Sequence, residues 1–391
     1  MDPVTNPYSM GAGNPPPALT GREAQLTQFR TLLARLREGR SDRSMIISGL
    51  RGVGKTVLLL EFESIAMEAG WATADPLEIR SDTDFRVDFA ARAHQLIARM
   101  NSRKALGDKL KRFTQLLQGF KIGAGPEGKI EFSFDLDATT AGSGDLEQDL
   151  TELLVEVGQA ARDQGTGALF LIDEMQFLAK PEMEAIAAAM HRISQLGLPV
   201  AFIGTGLPQL LGLMVEAKSY AERLFAYPGL GSLTTAAATT ALSRPAEKLG
   251  VELDDEALAR ILDLSGGYPA FIQAYGKQVW NDAVTSPITL DDVHVSEPLV
   301  QDTLDNEFFH TRFERATPAE RDYMSAMGEL GDGPYAVAEV SKHMGKATTS
   351  LSVRRDSLIK KGLIYAPDHG VVDFTVPHFA AFMRRRYPVG T

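Results

Sequence analysis

The stretch SMIISGLRGVGKTVLLL, residues 44–60, limits the folds open to this chain more than any other. Its first part is a short apolar run closed by glycine, the pattern of a strand buried in a sheet. Its last part runs on into TVLLLEFESIAMEAGW, which predicts a helix. Between them, GLRGVGKT (49–56) fits G-x-x-x-x-G-K-[ST] without deviation. A strand that turns through glycines into a helix can aim its backbone N–H groups at one anion, and the helix N-terminus adds partial positive charge. Gly49, Gly52, Val53 and Gly54 are the expected cradle, continued by Lys55, Thr56 and Val57. Lys55 would place a point charge on phosphate oxygens, and the Thr56 hydroxyl would face Mg²⁺.

A second strand, GALFLIDEMQFL (167–178), ends in two acids. Leu169 to Ile172 predict burial in the sheet interior, so Asp173 emerges at the strand's C-terminal end, where open α/β sheets bind ligands. Asp173 is the candidate metal ligand, with Thr56, and Glu174 the candidate general base for an attacking water. A third buried run, LPVAFIGTG (198–206), follows a helix at 181–196, and ATADPLEIRS (72–81) predicts a further strand. Strands alternating with helices at this spacing predict an α/β fold with a parallel sheet. No [NT]-K-x-D stretch for guanine is found, so ATP or ADP is the expected nucleotide, with Mg²⁺ as cofactor.

Composition closes several other routes. The 391 residues contain no cysteine, which excludes disulfides, thiolate zinc sites and cysteine nucleophiles. Net charge is −11, which disfavours general nucleic-acid binding, although a local basic module could still bind. The first residues, MDPVTNPYSMGAGNPPPALT, lack the pattern of a signal peptide. No apolar run reaches the roughly 18 residues of a membrane span. The expectation is a soluble cytoplasmic protein.

The chain divides into a flexible Pro/Gly-rich tail (1–17), an α/β core (18–230), a helical lid (231–312) and a C-terminal unit (313–391). Residues 84–118 predict a long helix. Residues 119–145 alternate apolar and polar types between glycines and predict a hairpin or flexible insertion. The C-terminal unit predicts helices at 317–330, 338–345 and 348–361 and a hairpin at 363–376, the order of a winged helix. Thr317, Pro318 and Glu320 form a capping-box sequence with proline at the first helical position.

The chain resembles the AAA+/STAND branch of P-loop ATPases, and is most similar to archaeal-type ATPases and origin-recognition initiators. Beyond GLRGVGKT and LFLIDE, the resemblance rests on LTGREAQLTQF, FIGTG, YAERLFAYPGLGSL and SGGYPAFIQAYG. It implies that Gly21 and Arg22 help hold the adenine, that Thr205 senses the γ-phosphate and that Arg223 acts as an arginine finger on a neighbouring copy. It implies too that Tyr268 and Pro269 lie against the base or sugar. The lid helix YPAFIQAYGKQ departs from the AAA+ pattern, because it offers Lys277 but no arginine.

The resemblance leaves three functions open. One is an ATPase acting as a nucleotide-driven conformational switch. Another is an ATP-licensed DNA-binding regulator, with Arg354 and Arg355 of the third C-terminal helix as the candidate duplex contacts. The third is a STAND-type signalling or defence hub that retains ADP and meets a protein partner. Residues 313–391 hold 11 Lys and Arg against 9 Asp and Glu, a weak basic excess for a DNA reader.

Overall fold

A computed structural model describes residues 1–11, 16–80, 82–101, 123–124, 130–131 and 145–387. The continuous apolar runs become strands of one parallel sheet. Its strands are β1 (Ser44–Gly49), β2 (Ala72–Thr73) and β3 (Leu77–Glu78). The short pair β4 (Gly123–Ala124) and β5 (Ile130–Glu131) stands apart as an antiparallel ladder. The sheet continues with β6 (Ala168–Asp173), β7 (Val200–Gly206), β8 (Phe225–Ala226) and β9 (Gly229–Leu230). The order is β2-β6-β7-β1-β8, with β3 also on β6 and β9 also on β1. β7 therefore lies between the strand that feeds the glycine turn and the strand that ends in Asp173. The rest of the expected 119–145 insertion, and the helix expected beyond Asn101, lie outside the described residues.

Strand alternation explains the two cores. Met45, Ile47, Leu169, Leu171 and Ile203 pack to one side with Phe62 of the helix Lys55–Glu68 and Phe29 of the helix Glu23–Arg37. Ile46, Phe170, Ile172 and Phe202 pack to the other side. Their partners there include Phe89, Val157 and Ile186, from the helices Phe85–Asn101, Leu146–Asp163 and Lys180–Leu196.

The helical unit follows as Thr235–Glu247, Asp255–Ser265, Pro269–Asp282 and Leu290–Thr303. Thr234, Asp254 and Thr289 each cap a helix by accepting from a backbone N–H, which fixes where three of the four begin. A π-helix, Leu304–His310, leads out of the unit. The N-terminal segment differs from the loose tail its composition suggests. Tyr8 is buried against this unit, its hydroxyl donates to the Leu242 carbonyl, and the Trp280 indole donates to the Asp2 carbonyl at 3.1 Å.

The C-terminal unit runs helix Pro318–Glu329, β10 (Tyr335–Ala336), helices Val337–His343 and Thr348–Lys360, β11 (Ile364–Tyr365) and β12 (Val371–Phe374). A last helix, Phe379–Arg386, closes it. The three strands form an antiparallel sheet in the order β10-β12-β11. The Thr317–Glu320 capping box forms, and Lys361 adds an ion pair to Glu320 at 2.6 Å. Burial alone would raise the Glu320 pKa, but hydrogen bonds from Lys361, Ser357 and Thr317 outweigh it and bring the carboxyl down to about 2. The unit is welded to the helical unit by aromatic rings: Phe309 packs against Phe271 on one side and Phe379 and Phe382 on the other. Arg385 and Arg386 both reach the buried Asp305 of the π-helix, at 2.6 and 3.2 Å.

Candidate functional site

Gly52 and Gly54 take φ of 89° and 92°, left-handed values that let the loop curl before the helix Lys55–Glu68 begins. Lys55 is 6% exposed, and its ammonium donates to the Gly49 and Leu50 carbonyls at 2.9 Å each. Burial lowers its pKa to about 8, against the pull of Glu174 and Asp173. Val57 lies in the first turn of the same helix. The loop is braced from behind by Arg22, buried, whose guanidinium donates to the Val53 carbonyl at 3.0 Å and the Gly231 carbonyl at 2.9 Å. Gly21, at φ 69°, packs against Leu233 and Ala237 of the helical unit.

The sheet order brings the acids to this loop. Thr56 Oγ1 donates to Asp173 Oδ2 at 2.6 Å. On the neighbouring strand the fully buried Thr205 Oγ1 donates to Asp173 Oδ1. The parallel register explains the meeting, since Ile47 pairs with Thr205 and Ile172 with Gly204. A hydroxyl and a carboxylate side by side are hard oxygen donors suited to Mg²⁺, which completes its shell with water and phosphate. Glu174 follows in a left-handed conformation, φ 58°, that turns its side chain off the strand line. Its carboxylate accepts from Arg51 at 3.2 and 3.3 Å and from the Gln176 amide.

Arg51 is where the three units meet. Its backbone N–H donates to the Thr375 carbonyl at 3.0 Å, and its Nε to the Gly362 carbonyl at 3.3 Å, both in the C-terminal unit. Its own carbonyl accepts from the Tyr268 hydroxyl. Next to it the Gly52 carbonyl accepts from the Ala270 N–H at 3.3 Å. Tyr268 and Pro269, expected beside a base or sugar, thus start a helix that rests on the loop backbone itself.

Other expected residues lie elsewhere. Arg223 is on the short helix Ala221–Leu224 that leads into β8, and Phe225 of β8 pairs with Ser44, at the end of β1 away from the loop. Within one chain, Arg223 does not reach the Asp173 cluster. Arg354 and Arg355 are half-buried on the helix Thr348–Lys360, where Arg355 pairs with Asp356 at 3.0 Å and one Arg354 amino nitrogen is buried without a partner. The exposed positions of this helix are Thr348, Thr349, Ser350, Val353, Asp356 and Lys360.

The sequence reading missed Arg51, Gln176, Gly362 and Thr375. Arg51 fills an unconstrained position of the loop motif, so only its charge beside Lys55 marks it. Gln176 bridges the Glu174 carboxylate and the Leu207 N–H, the latter at 3.0 Å. Gly362 and Thr375 touch the loop through their carbonyl oxygens, which no side-chain pattern advertises.

Residues 18–203 match the family described as AAA ATPase domain, and residues 306–383 match a domain of unknown function, DUF8462. Among solved structures, a Walker-type ATPase of Pyrococcus abyssi is similar over 94% of this chain and 96% of its own, at 14% identity and a TM-score of 0.58. The ORC1 protein of Aeropyrum pernix in complex with DNA aligns over 94% of both chains at 15% identity, with a TM-score of 0.45. The Thermotoga maritima RuvB Holliday junction branch migration motor aligns over 95% of this chain and 96% of its own at 17% identity, also with a TM-score of 0.45. No curated protein matches the chain. The domain match places an AAA ATPase domain within residues 18–203, and the likeness to the Walker-type ATPase shows a shared fold.

Proposed function

We propose that this chain is a nucleotide-driven conformational switch that binds ATP with Mg²⁺ in the 49–56 loop and hydrolyses it. Lys55 would bind the phosphate chain, while Thr56 and Asp173 would hold the metal. Magnesium, when bound, neutralises charge on the phosphate oxygens during transfer. Glu174 would orient the attacking water and draw its proton, with Thr205 and Gln176 fixing the adjoining backbone and carboxylates. We read the C-terminal unit as a winged helix and the docked arrangement as STAND-like.

The observation that carries the switch is the double use of Arg51. One side chain holds the carboxylate needed for hydrolysis and, through Gly362, the C-terminal unit. The helical and C-terminal units share an aromatic core, so they would move as one body. Their seam with the loop includes the polar contacts at Arg51 and Gly52. Each such hydrogen bond contributes about 0.5–1.5 kcal/mol net. Nucleotide would open the seam by binding the open arrangement more tightly than the docked one, by more than these contacts and the apolar packing beside them contribute.

Arg51→Ala frees Glu174 and weakens the seam together, so steady-state hydrolysis should rise by about three- to tenfold. Gly362→Ala approaches the same seam from the other side. Gly362 has φ 63°, and a Cβ there would stand 2.7 Å from an Arg51 amino nitrogen. The readout for both is phosphate release. Unchanged or slower hydrolysis in both variants would count against the switch.

A duplex reader is not favoured. The exposed face of the helix Thr348–Lys360 carries two threonines, a serine, an apolar residue, an acid and a single base, and Lys361 and Arg384 to Arg386 are each engaged by carboxylates. A protein partner that competes for the seam fits this surface better. Arg223 would act only on a neighbouring copy, in an assembled state.

A further inference from the structure

Arg312 lies just past the π-helix, on the connector between the helical and C-terminal units. Its guanidinium stacks on the Phe308 ring, 4.1 Å from the centroid, and donates to the Phe308 carbonyl four residues back. Phe308 in turn presses on the loop, its ring edge 3.4 Å from where a Gly52 Cβ would stand. Arg312 is therefore held beside the loop by its own helical turn. It is close enough to Arg51, Tyr268 and Glu174 for their charges to act on it.

Among the described residues no carboxylate pairs with Arg312, and it is half-buried. Guanidinium groups removed from water ordinarily find an anion. The carboxylates nearby are already engaged, Glu174 by Arg51 and Asp173 by Thr56 and Thr205. Burial and the like charge of Arg51 lower the Arg312 pKa to about 10, which marks a position that is electrostatically unfavourable without a counter-ion. The anion the adjoining loop is shaped for is a polyphosphate.

We infer that Arg312 is a phosphate-binding residue of the nucleotide site, supplying from the connector the cation that distinguishes a triphosphate from a diphosphate. Arg312 reaches the loop from the connector, one helical turn past Phe308. The π-helix just before it gives the position adjustable register, because relaxing a π-turn to α rotates everything beyond it. The inference rests on the nucleotide reading of the 49–56 loop and names the residue that sets which nucleotide is preferred.

The test is calorimetric titration of the full chain with ATP and with ADP, each with Mg²⁺, in wild type, Arg312→Gln, Arg312→Lys and Lys55→Ala. Arg312→Gln should weaken ATP by about tenfold or more while ADP changes by less than about threefold, the scale of one charge-assisted contact. Arg312→Lys, which keeps charge without the planar fork, should fall between. An ATP-to-ADP affinity ratio unchanged in both variants overturns the inference and leaves the nucleotide reading standing. Wild type that binds neither nucleotide overturns the reading itself. If Arg312→Gln does not fold, the ratio in Arg312→Lys decides alone.

Discussion

Glu174→Gln should lower steady-state ATP hydrolysis by about 10²–10⁴-fold while ATP affinity changes only a few-fold. Glutamine keeps the size of the side chain and its acceptor oxygen but cannot take a proton. The backbone supports the assignment: at φ 58° the residue leaves the line of β6, and its N–H donates back to Asp173 Oδ1 at 2.8 Å. Two neighbours hold the carboxylate, Gln176 on one side and Arg51 on the other. Glutamine would also loosen the Arg51 pair, since a neutral acceptor binds guanidinium more weakly. Phosphate release and nucleotide titration on the same preparation separate the two effects. Hydrolysis within a few-fold of wild type would remove Glu174 from the chemistry.

Lys55→Ala should cost about 100-fold or more in ATP affinity and abolish hydrolysis. A charge-assisted contact to a phosphate is worth about 1.5–3 kcal/mol even before the wider field is counted. In the structure Lys55 is 6% exposed and, among the described residues, its ammonium bonds to the Gly49 and Leu50 carbonyls, so it is placed for an anion and not for a protein carboxylate. Alanine leaves those two carbonyls without their donor, so thermal stability of the variant should be measured alongside. Nucleotide affinity or ATPase activity that survives Lys55→Ala would contradict the assignment of the loop.

The core was legible because its signals are local. Met45 to Ile47, Leu169 to Ile172 and Val200 to Ile203 are unbroken apolar runs, and the glycines and acids that follow them mark the strand ends. The alignment of Thr56, Asp173 and Thr205 follows once β7 lies between β1 and β6, an order that no single segment states. Other features depend on distant partners and left no pattern. The strand expected over 72–81 is split into β2 and β3, two residues each, a break that periodicity does not register. The N-terminal segment looked loose from its prolines, yet Tyr8 is its aromatic anchor and fills the space beside Gly276. The C-terminal unit shows only a weak basic excess in sequence, and part of it is paired within the fold: Lys361 with Glu320, and the arginines of the last helix with Asp302, Asp305 and Asp332. The charges that matter at the loop, Arg51 and Arg312, occupy positions a motif leaves open.

The chain has no cysteine, so a pair of introduced ones can carry distance probes without side labelling. Arg40→Cys on the core and His369→Cys on the C-terminal unit are both at exposed positions. The distance between them, read by pulsed spin-label spectroscopy without nucleotide, with ADP and with a non-hydrolysable ATP analogue plus Mg²⁺, tests the switch most directly. The docked seam at Arg51 predicts one narrow distance distribution without nucleotide and with ADP, and a second, shifted population with the ATP analogue. A single unchanged distribution in all three states would contradict it.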